Sequence, residues 1–166
     1  MKLSFEERIA AVDWANYDTA YGRTDEIPNQ LLRLASRDKP TALKASHDLW
    51  CALCHQHVQV ATAALPALPF LLEVLATADE LLAPEILDII LGFAKGVNRQ
   101  RRSEYLAALG RKAYSDPEWV IELRARLGNE SGRFTELGSH SNANIAELAN
   151  SIVQELSETV QNLRSH

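Results

Sequence analysis

The residues best suited to chemistry lie close together between positions 51 and 57. Cys51-Ala-Leu-Cys54-His55 has the spacing of a covalent haem attachment site. Its surroundings do not favour haem, because no secretory signal is expected at the N-terminus and the only methionine, Met1, is a poor axial ligand. We therefore expect ordinary helix residues here, and haem or pigment binding remains an alternative.

Zinc binding is the other chemistry that this segment could support. At about 100° per helical residue, Cys54 points roughly 60° from Cys51 and His57 roughly 120°, so one straight helix cannot wrap them around one ion. His47, Cys51 and His55 share a face but span two turns, too far for one metal without a ligand from elsewhere. We expect no metal and no cofactor, and a disulfide within one helix is also disfavoured.

A repeat predicts the elements that hold these residues. Ile27-Pro28 with Leu31, Leu34 and Ala35 recurs 41 residues later as Leu68-Pro69 with Leu72, Leu75 and Ala76. Each copy is followed by a second proline-led helix, Lys39-Pro40 with Leu43 and, 44 residues later, Ala83-Pro84 with Leu87. Proline suits the first helical turn, where its missing N–H has no partner to lose. Two hairpins of this period are typical of HEAT or armadillo solenoids.

The rest of the chain predicts further helices. Ser4-Phe5-Glu6-Glu7 is a capping box that predicts a helix over residues 5–16, followed by a loop over 17–26. Beyond Gly96 the repeat fades, and we expect a helix over residues 99–114, another opened by Asp116-Pro117-Glu118 and a loop over 128–142. The inward residues expected in these helices are Tyr105, Leu106 and Leu109, then Trp119, Leu123 and Leu127. A last amphipathic helix, expected to cap the stack, carries Ile145, Leu148, Ile152, Leu156, Val160 and Leu163.

Residues 13–75 resemble a group of bacterial HEAT-repeat (armadillo-like) proteins. The matching blocks are Asp13-Trp14, Ala20-Tyr21-Gly22, Ile27-Pro28, His55-Gln56, Ala61-Thr62 and Leu68-Pro69-Phe70-Leu71-Leu72. A glycine usually follows the His-Gln pair in that group, whereas His57 stands here. The resemblance implies an all-α fold, a short right-handed α-solenoid of antiparallel helical hairpins with a C-terminal capping helix. It also implies a binding role, since similar small helical-repeat proteins are immunity partners of bacterial toxins, and it carries no catalytic residue.

Second helices of HEAT hairpins line the concave surface, which makes their polar sides the candidate binding site. On a helical wheel of residues 41–57, the apolar side holds Leu43, Leu49, Trp50, Leu53 and Cys54. The predicted partner-binding residues are those opposite and their counterparts in the next unit: Lys44, His47, Asp48, Cys51, His55, Glu85, Asp88 and Lys95. A solvated helix face is the plainer interpretation, but two histidines, a cysteine and charges of both signs favour binding.

Two smaller groups are also candidates. Arg99, Arg101, Arg102, Arg111 and Lys112 form a basic patch, of which Arg99 and Arg102 are predicted as a secondary partner-binding site. Trp14, Tyr17 and Tyr21 form an aromatic group whose expected role is to cap the first hairpin, with interface anchoring as the alternative.

Composition narrows the possible functions. The 166 residues are 46% hydrophobic and predict one domain over 1–166, with two recognisable hairpins in 27–96 and divergent helices and a cap in 97–166. A net charge of −5 argues against binding duplex nucleic acid, and no apolar run is long enough to span a membrane. We expect a cytoplasmic location.

These features predict a non-enzymatic protein-binding module, most specifically an immunity protein that occludes a toxin. A HEAT-like nucleic-acid-binding protein or an enzyme similar to DNA glycosylases is the alternative from another class.

Overall fold

The chain folds entirely into helices, turns and loops over the residues that the structure describes. The computed structural model describes residues 1–111 and 115–164, which contain nine α-helices and no β-strand. The helices are α1 (Phe5–Ala10), α2 (Ile27–Leu34), α3 (Lys39–Cys54), α4 (Ala64–Leu75), α5 (Leu82–Val97), α6 (Arg99–Ala108), α7 (Glu118–Asn129), α8 (Ser131–Leu137) and α9 (Ala143–Arg164). The predicted all-α class is thus confirmed. None of the described helices is both long enough and apolar enough to span a bilayer.

The first helix begins as predicted but ends early. Ser4 accepts a hydrogen bond from the amide of Glu7, and the Glu7 carboxylate answers the amide of Ser4, so the capping box is formed. The predicted continuation to residue 16 is wrong, because α1 stops at Ala10. Trp14 is buried, and its indole N–H donates to the carbonyl of Ile9 at 2.9 Å. The indole is thus buried against the last turn of α1 after the helix has ended.

Three of the four repeat prolines lie in first turns, as predicted. Pro28 and Pro40 are each the second residue of their helices and Pro84 is the third. The prediction for Pro69 is wrong, since it lies inside α4, which begins five residues earlier at Ala64. Buried apolar residues upstream of Pro69 (Ala64, Leu65, Ala67 and Leu68) extend the helix because they gain burial against the core.

Helix α5 lies at the centre of the packing. It contacts α3, α4, α6, α7 and α9, and most of its residues are buried, including Ile86, Leu87, Ile90 and Phe93. A narrow polar stripe of Glu85, Asp88 and Lys95 is exposed or half-buried. Helices α2 and α3 also pack against each other. A helix with so wide an apolar face is stable only when several neighbours cover it.

At the other end of the core, α1 joins α4. The Arg8 guanidinium makes two hydrogen bonds of 2.7 Å to the Glu73 carboxylate, and the rings of Phe5 and Phe70 meet edge to face at 5.6 Å.

The C-terminal half departs most from the sequence predictions. Leu106 is buried as expected, but Tyr105 and Leu109 are exposed, and Tyr114 lies outside the described residues. The predicted loop over 128–142 is wrong, because α8 forms within it around Phe134, which is fully buried.

The last predicted helix is confirmed as α9, which packs on α5 and α8 through its buried face, including Ile145 and Ile152. The side chains of Val160 and Leu163 lie outside the described ones.

Candidate interaction surface

The predicted polar side of α3 faces solvent. Lys44 and His47 are exposed, while Asp48 and Cys51 are half-buried. The Lys44 ammonium lies 3.1 Å from the Asp48 carboxylate, and His47 Nε2 lies 3.8 Å from Cys51 Sγ. Both pairs are one helical turn apart, so they lie along the same stripe of α3. We call the predicted set the α3/α5 edge: Lys44, His47, Asp48, Cys51, His55, Glu85, Asp88 and Lys95.

A residue outside that predicted set joins α3 to α5. His57 follows the end of α3, and its Nε2 lies 2.8 Å from the backbone oxygen of Asp88 and 3.2 Å from the Asp88 carboxylate. Its Nδ1 lies 3.3 Å from Lys95 Nζ. Since an ammonium can only donate, Nδ1 accepts from Lys95 and Nε2 carries the proton that goes to Asp88. His57 thus contacts two α5 residues, Asp88 and Lys95, that lie two turns apart on the same side of the helix.

The chain reaches this position through an unusual turn. His55, Gln56 and His57, which we call the histidine turn, have φ angles of 41°, 57° and 68°. The left-handed region costs a residue with a side chain about 1–2 kcal/mol, and three successive residues pay it here. Such strain persists only where the surrounding structure fixes the conformation. Glycine is the residue that adopts positive φ without strain, and none of the three positions has it.

Two glycines in α5 make room for the end of α3. A Cβ on Gly92 would lie 2.7 Å from Cys54 Sγ and 2.9 Å from His57 Cδ2. A Cβ on Gly96 would lie 2.5 Å from Val60 Cγ1. The two glycines are four residues apart and so lie one turn apart on α5. This spacing is the signal in the sequence for the close approach.

The two cysteines have different environments. Cys54 is fully buried, and its thiol donates to the Trp50 carbonyl at 3.2 Å. Burial raises the pKa of the Cys54 thiol to about 12, with the nearby Asp88 and Cys51 acting in the same direction and a hydrogen bond from the His57 backbone opposing it. Cys51 is half-buried on the edge, and both thiols are free. Cys54 thus serves as a core residue and Cys51 as a surface one.

Trp50 lies between the polar and apolar sides. The helical wheel predicts Trp50 on the apolar side of α3, and the side chain is half-buried there. Its ring centroid lies 5.8 Å from that of His47 and 6.2 Å from that of His57. Its indole N–H is buried and finds no hydrogen-bond partner among the described residues. The indole thereby connects the α3 stripe to the histidine turn through ring contacts.

The structure connects some edge residues and leaves others apart. Asp88 and Lys95 contact His57 at the end of α3, whereas Lys44 and Asp48 form an ion pair with each other within α3. Glu85 is exposed and makes no ion pair among the described side chains. His55 is exposed and meets the ring of Tyr21 edge-on at 6.2 Å. Within the aromatic group, Trp14 is buried, Tyr17 is half-buried and Tyr21 is exposed.

One of the two residues of the predicted secondary site, Arg102, makes hydrogen bonds within the fold. Arg102 donates to the Asp116 carboxylate at 2.6 Å and to the Gly96 carbonyl at 3.3 Å, and Arg124 donates to the same carboxylate at 2.5 Å and to the Val97 carbonyl at 2.8 Å. We call Arg102, Asp116 and Arg124 the arginine cluster. Nearby, Arg101 makes a two-bond contact with Glu155. Arg99 is half-buried, and Lys112 lies outside the described residues.

Other candidate features lie away from the edge. Two open grooves of about 460 and 510 Å³ flank α4, and no residue of the α3/α5 edge lines either. Among the described side chains, no three histidine, cysteine or acidic residues are placed to hold one metal ion.

Neither a protein-family model, nor a curated protein, nor a solved structure matches the chain.

Proposed function

We propose that the chain is a non-enzymatic, cytoplasmic HEAT-like solenoid that binds another protein through the α3/α5 edge. The single observation that supports this most is the pair of contacts that the His57 ring makes with Asp88 and Lys95. These contacts fix the end of α3 against α5. Polar side chains from the two hairpins can then contact the same partner. Rigid surfaces bind with a smaller loss of conformational entropy than mobile ones.

Within this class, the most specific role is that of an immunity protein that occludes a bacterial toxin. The chain is acidic, with a net charge of −5, and acidic proteins associate fastest with basic partners. A right-handed stack of antiparallel hairpins would give the edge the concave form that covers an active site, with α9 closing the stack.

The test starts from partners recovered by affinity purification from the native cytoplasm and identified by mass spectrometry. Each partner is then purified, and its dissociation constant is measured with the wild-type chain and with the Asp48→Lys and Glu85→Lys double variant. We expect the charge reversals to weaken binding by about tenfold or more, since like charges across an interface cost several kcal/mol. Both substitutions lie on exposed or half-exposed helix sides, where loss of the Lys44–Asp48 pair has little effect on stability.

The matched control reverses two exposed charges elsewhere, Glu136→Lys and Glu147→Lys, on α8 and α9. If every partner binds the edge variant as tightly as it binds the wild type, the assignment of the edge is wrong. For the toxin role, expression of the partner alone should stop cell growth, and co-expression of this chain should restore it.

A further inference from the structure

The histidine turn presents its side chains in two directions. His57 points inward, with an exposed side-chain fraction of 18%, while His55 and Gln56 are exposed and the next residue, Val58, is 77% exposed. The one inward side chain holds the turn on α5, and the outward ones are left for solvent. A tether of this kind gives exposed residues a fixed geometry in a conformation that the backbone would not otherwise favour.

An aromatic side chain extends the outward face of the turn. Tyr21 is 68% exposed and lies against the His55 ring. Its loop is bonded to the same region, because the Ala20 amide donates to the Ala52 carbonyl at 2.8 Å and the Asp18 amide to Thr62 Oγ1 at 2.7 Å. Tyr21, His55 and Val58 therefore form one exposed, partly apolar patch on two segments that are each tied to the end of α3. We call these three residues the turn patch.

The charges around the turn patch are mainly negative. Asp18 is exposed and makes no ion pair among the described side chains, and Glu85 is exposed on α5 one turn before Asp88. Two cations belong to the same segments, and both have partners: Arg23 pairs with Asp25 at 2.8 Å, and half-buried Lys95 lies 3.3 Å from His57 Nδ1. A partner that places an apolar side chain on the patch would gain from basic residues beside it.

We propose that the turn patch anchors a protein partner whose contact segment carries an aliphatic or aromatic side chain flanked by lysine or arginine. His57 is the positioning residue: it does not touch the partner but holds the patch in place. Anchors of protein interfaces are commonly aromatic side chains on preorganised surfaces, as Tyr21 is here. This inference rests on the proposed function, because it names the recognition element of the same surface.

The experiment uses a phage-displayed library of random 12-residue peptides, selected on the immobilised full chain without depletion so that any surface can be chosen. The enriched peptides are synthesised, and their affinities are measured by titration calorimetry. We expect lysine or arginine beside an aromatic or aliphatic residue in the enriched sequences. The Tyr21→Ala and Val58→Ala double variant should lose affinity by about tenfold or more, and Asp18→Lys by several-fold.

Three variants at position 57 separate positioning from folding. His57→Gln places an amide N–H close to where His57 carries its Nε2 proton, so it can donate to the Asp88 carbonyl and should retain most of the peptide affinity. His57→Gly suits the backbone but removes the tether, so it should remain folded and lose affinity by about fivefold or more. His57→Ala should lose both affinity and stability. Equal affinity of all three variants would show that His57 has no positioning role.

The control is Leu81→Ala, which removes another exposed apolar side chain, 64% exposed in the loop before α5. Its affinity should stay within about twofold of wild type. Peptides that depend on Leu81, or that bind the turn-patch variant unchanged, overturn the inference. Peptides weakened only by the Asp48→Lys and Glu85→Lys pair also overturn it while leaving the proposed function standing, and an absence of any enriched peptide counts against both.

Discussion

The end of α3 and the end of α5 both join helices through charged and polar side chains, yet they do so in different ways. At the arginine cluster, the Asp116 carboxylate is 8% exposed and receives two guanidinium groups, which also satisfy carbonyls at the end of α5. At the histidine turn, the His57 side chain holds three residues with left-handed backbone conformations, two of which have exposed side chains. The arginine cluster stabilises the packing of the helices. The contacts of His57 instead fix the conformation of residues on the surface.

The arginine cluster also engages part of the predicted basic patch, because Arg102 belongs to both. Near the end of α5, Arg101, Arg102 and Arg124 form ion pairs with buried carboxylates, and two of them also donate to backbone carbonyls of α5. Their charges are therefore balanced within the protein. On the α3/α5 edge, four of the eight residues are exposed: Lys44, His47, His55 and Glu85.

The largest expected effect comes from removing the centre of the arginine cluster. Asp116→Ala leaves Arg102 and Arg124 without their shared carboxylate, and we expect a loss of about 3–5 kcal/mol in the free energy of unfolding, measured in urea. Asp25→Ala breaks the exposed pair with Arg23 and should cost less than about 1 kcal/mol. Equal losses for the two variants would mean that the cluster does not stabilise the fold.

The next effect tests the close approach between α5 and the histidine turn. Gly92→Ala puts a Cβ within 2.7 Å of Cys54 Sγ, and the overpacking should cost about 1–3 kcal/mol of stability in thermal or urea unfolding. Gly128→Ala in α7 meets open space, so better helix propensity should stabilise the protein by about 0.5–1 kcal/mol. A stabilising Gly92→Ala would contradict the observed contact.

A smaller difference is expected between two variants of His57. Because its φ is 68°, His57→Gly should be more stable than His57→Ala by about 1 kcal/mol. The order is the reverse of the one found at a helical position, where alanine is favoured. Urea unfolding of the two variants measures it, and a more stable alanine variant would show that residue 57 is not left-handed in solution.

The cysteines provide the mildest test, since nothing in the fold has to be disrupted. At pH 8, iodoacetamide should label Cys51, while Cys54 stays unlabelled because it is buried and its pKa is about 12. Since this pKa lies above the ordinary value of 9.0, the protonated thiol stabilises the fold fully below pH 9, and that contribution is lost as the pH rises towards 12. Peptide mapping by mass spectrometry identifies the labelled site, and rapid labelling of Cys54 in the folded chain would contradict its burial.

Local signals in the sequence predicted the parts of the fold that depend on local physics. The capping box, the first-turn prolines at positions 28, 40 and 84 and the apolar period of α9 each act within one or two turns of helix. The exposed side of α3 was predicted for the same reason, because a helical wheel needs no neighbours.

The remaining features depend on distant partners. The early end of α1 needs Trp14 to find the Ile9 carbonyl, and α8 needs a buried place for Phe134. The histidine turn was missed because its sequence has no glycine to indicate positive φ. Its conformation depends on Asp88 and Lys95, more than thirty residues away along the chain.

The central claim is that the polar sides of α3 and α5 and the histidine turn form one binding surface. Its most direct test is an NMR titration of the ¹⁵N-labelled chain with the tightest peptide from the selection. The account predicts that the largest amide shift changes cluster at Tyr21, residues 55–58 and the exposed stripe of α3. Changes concentrated instead along the grooves beside α4, with the turn unaffected, would contradict it.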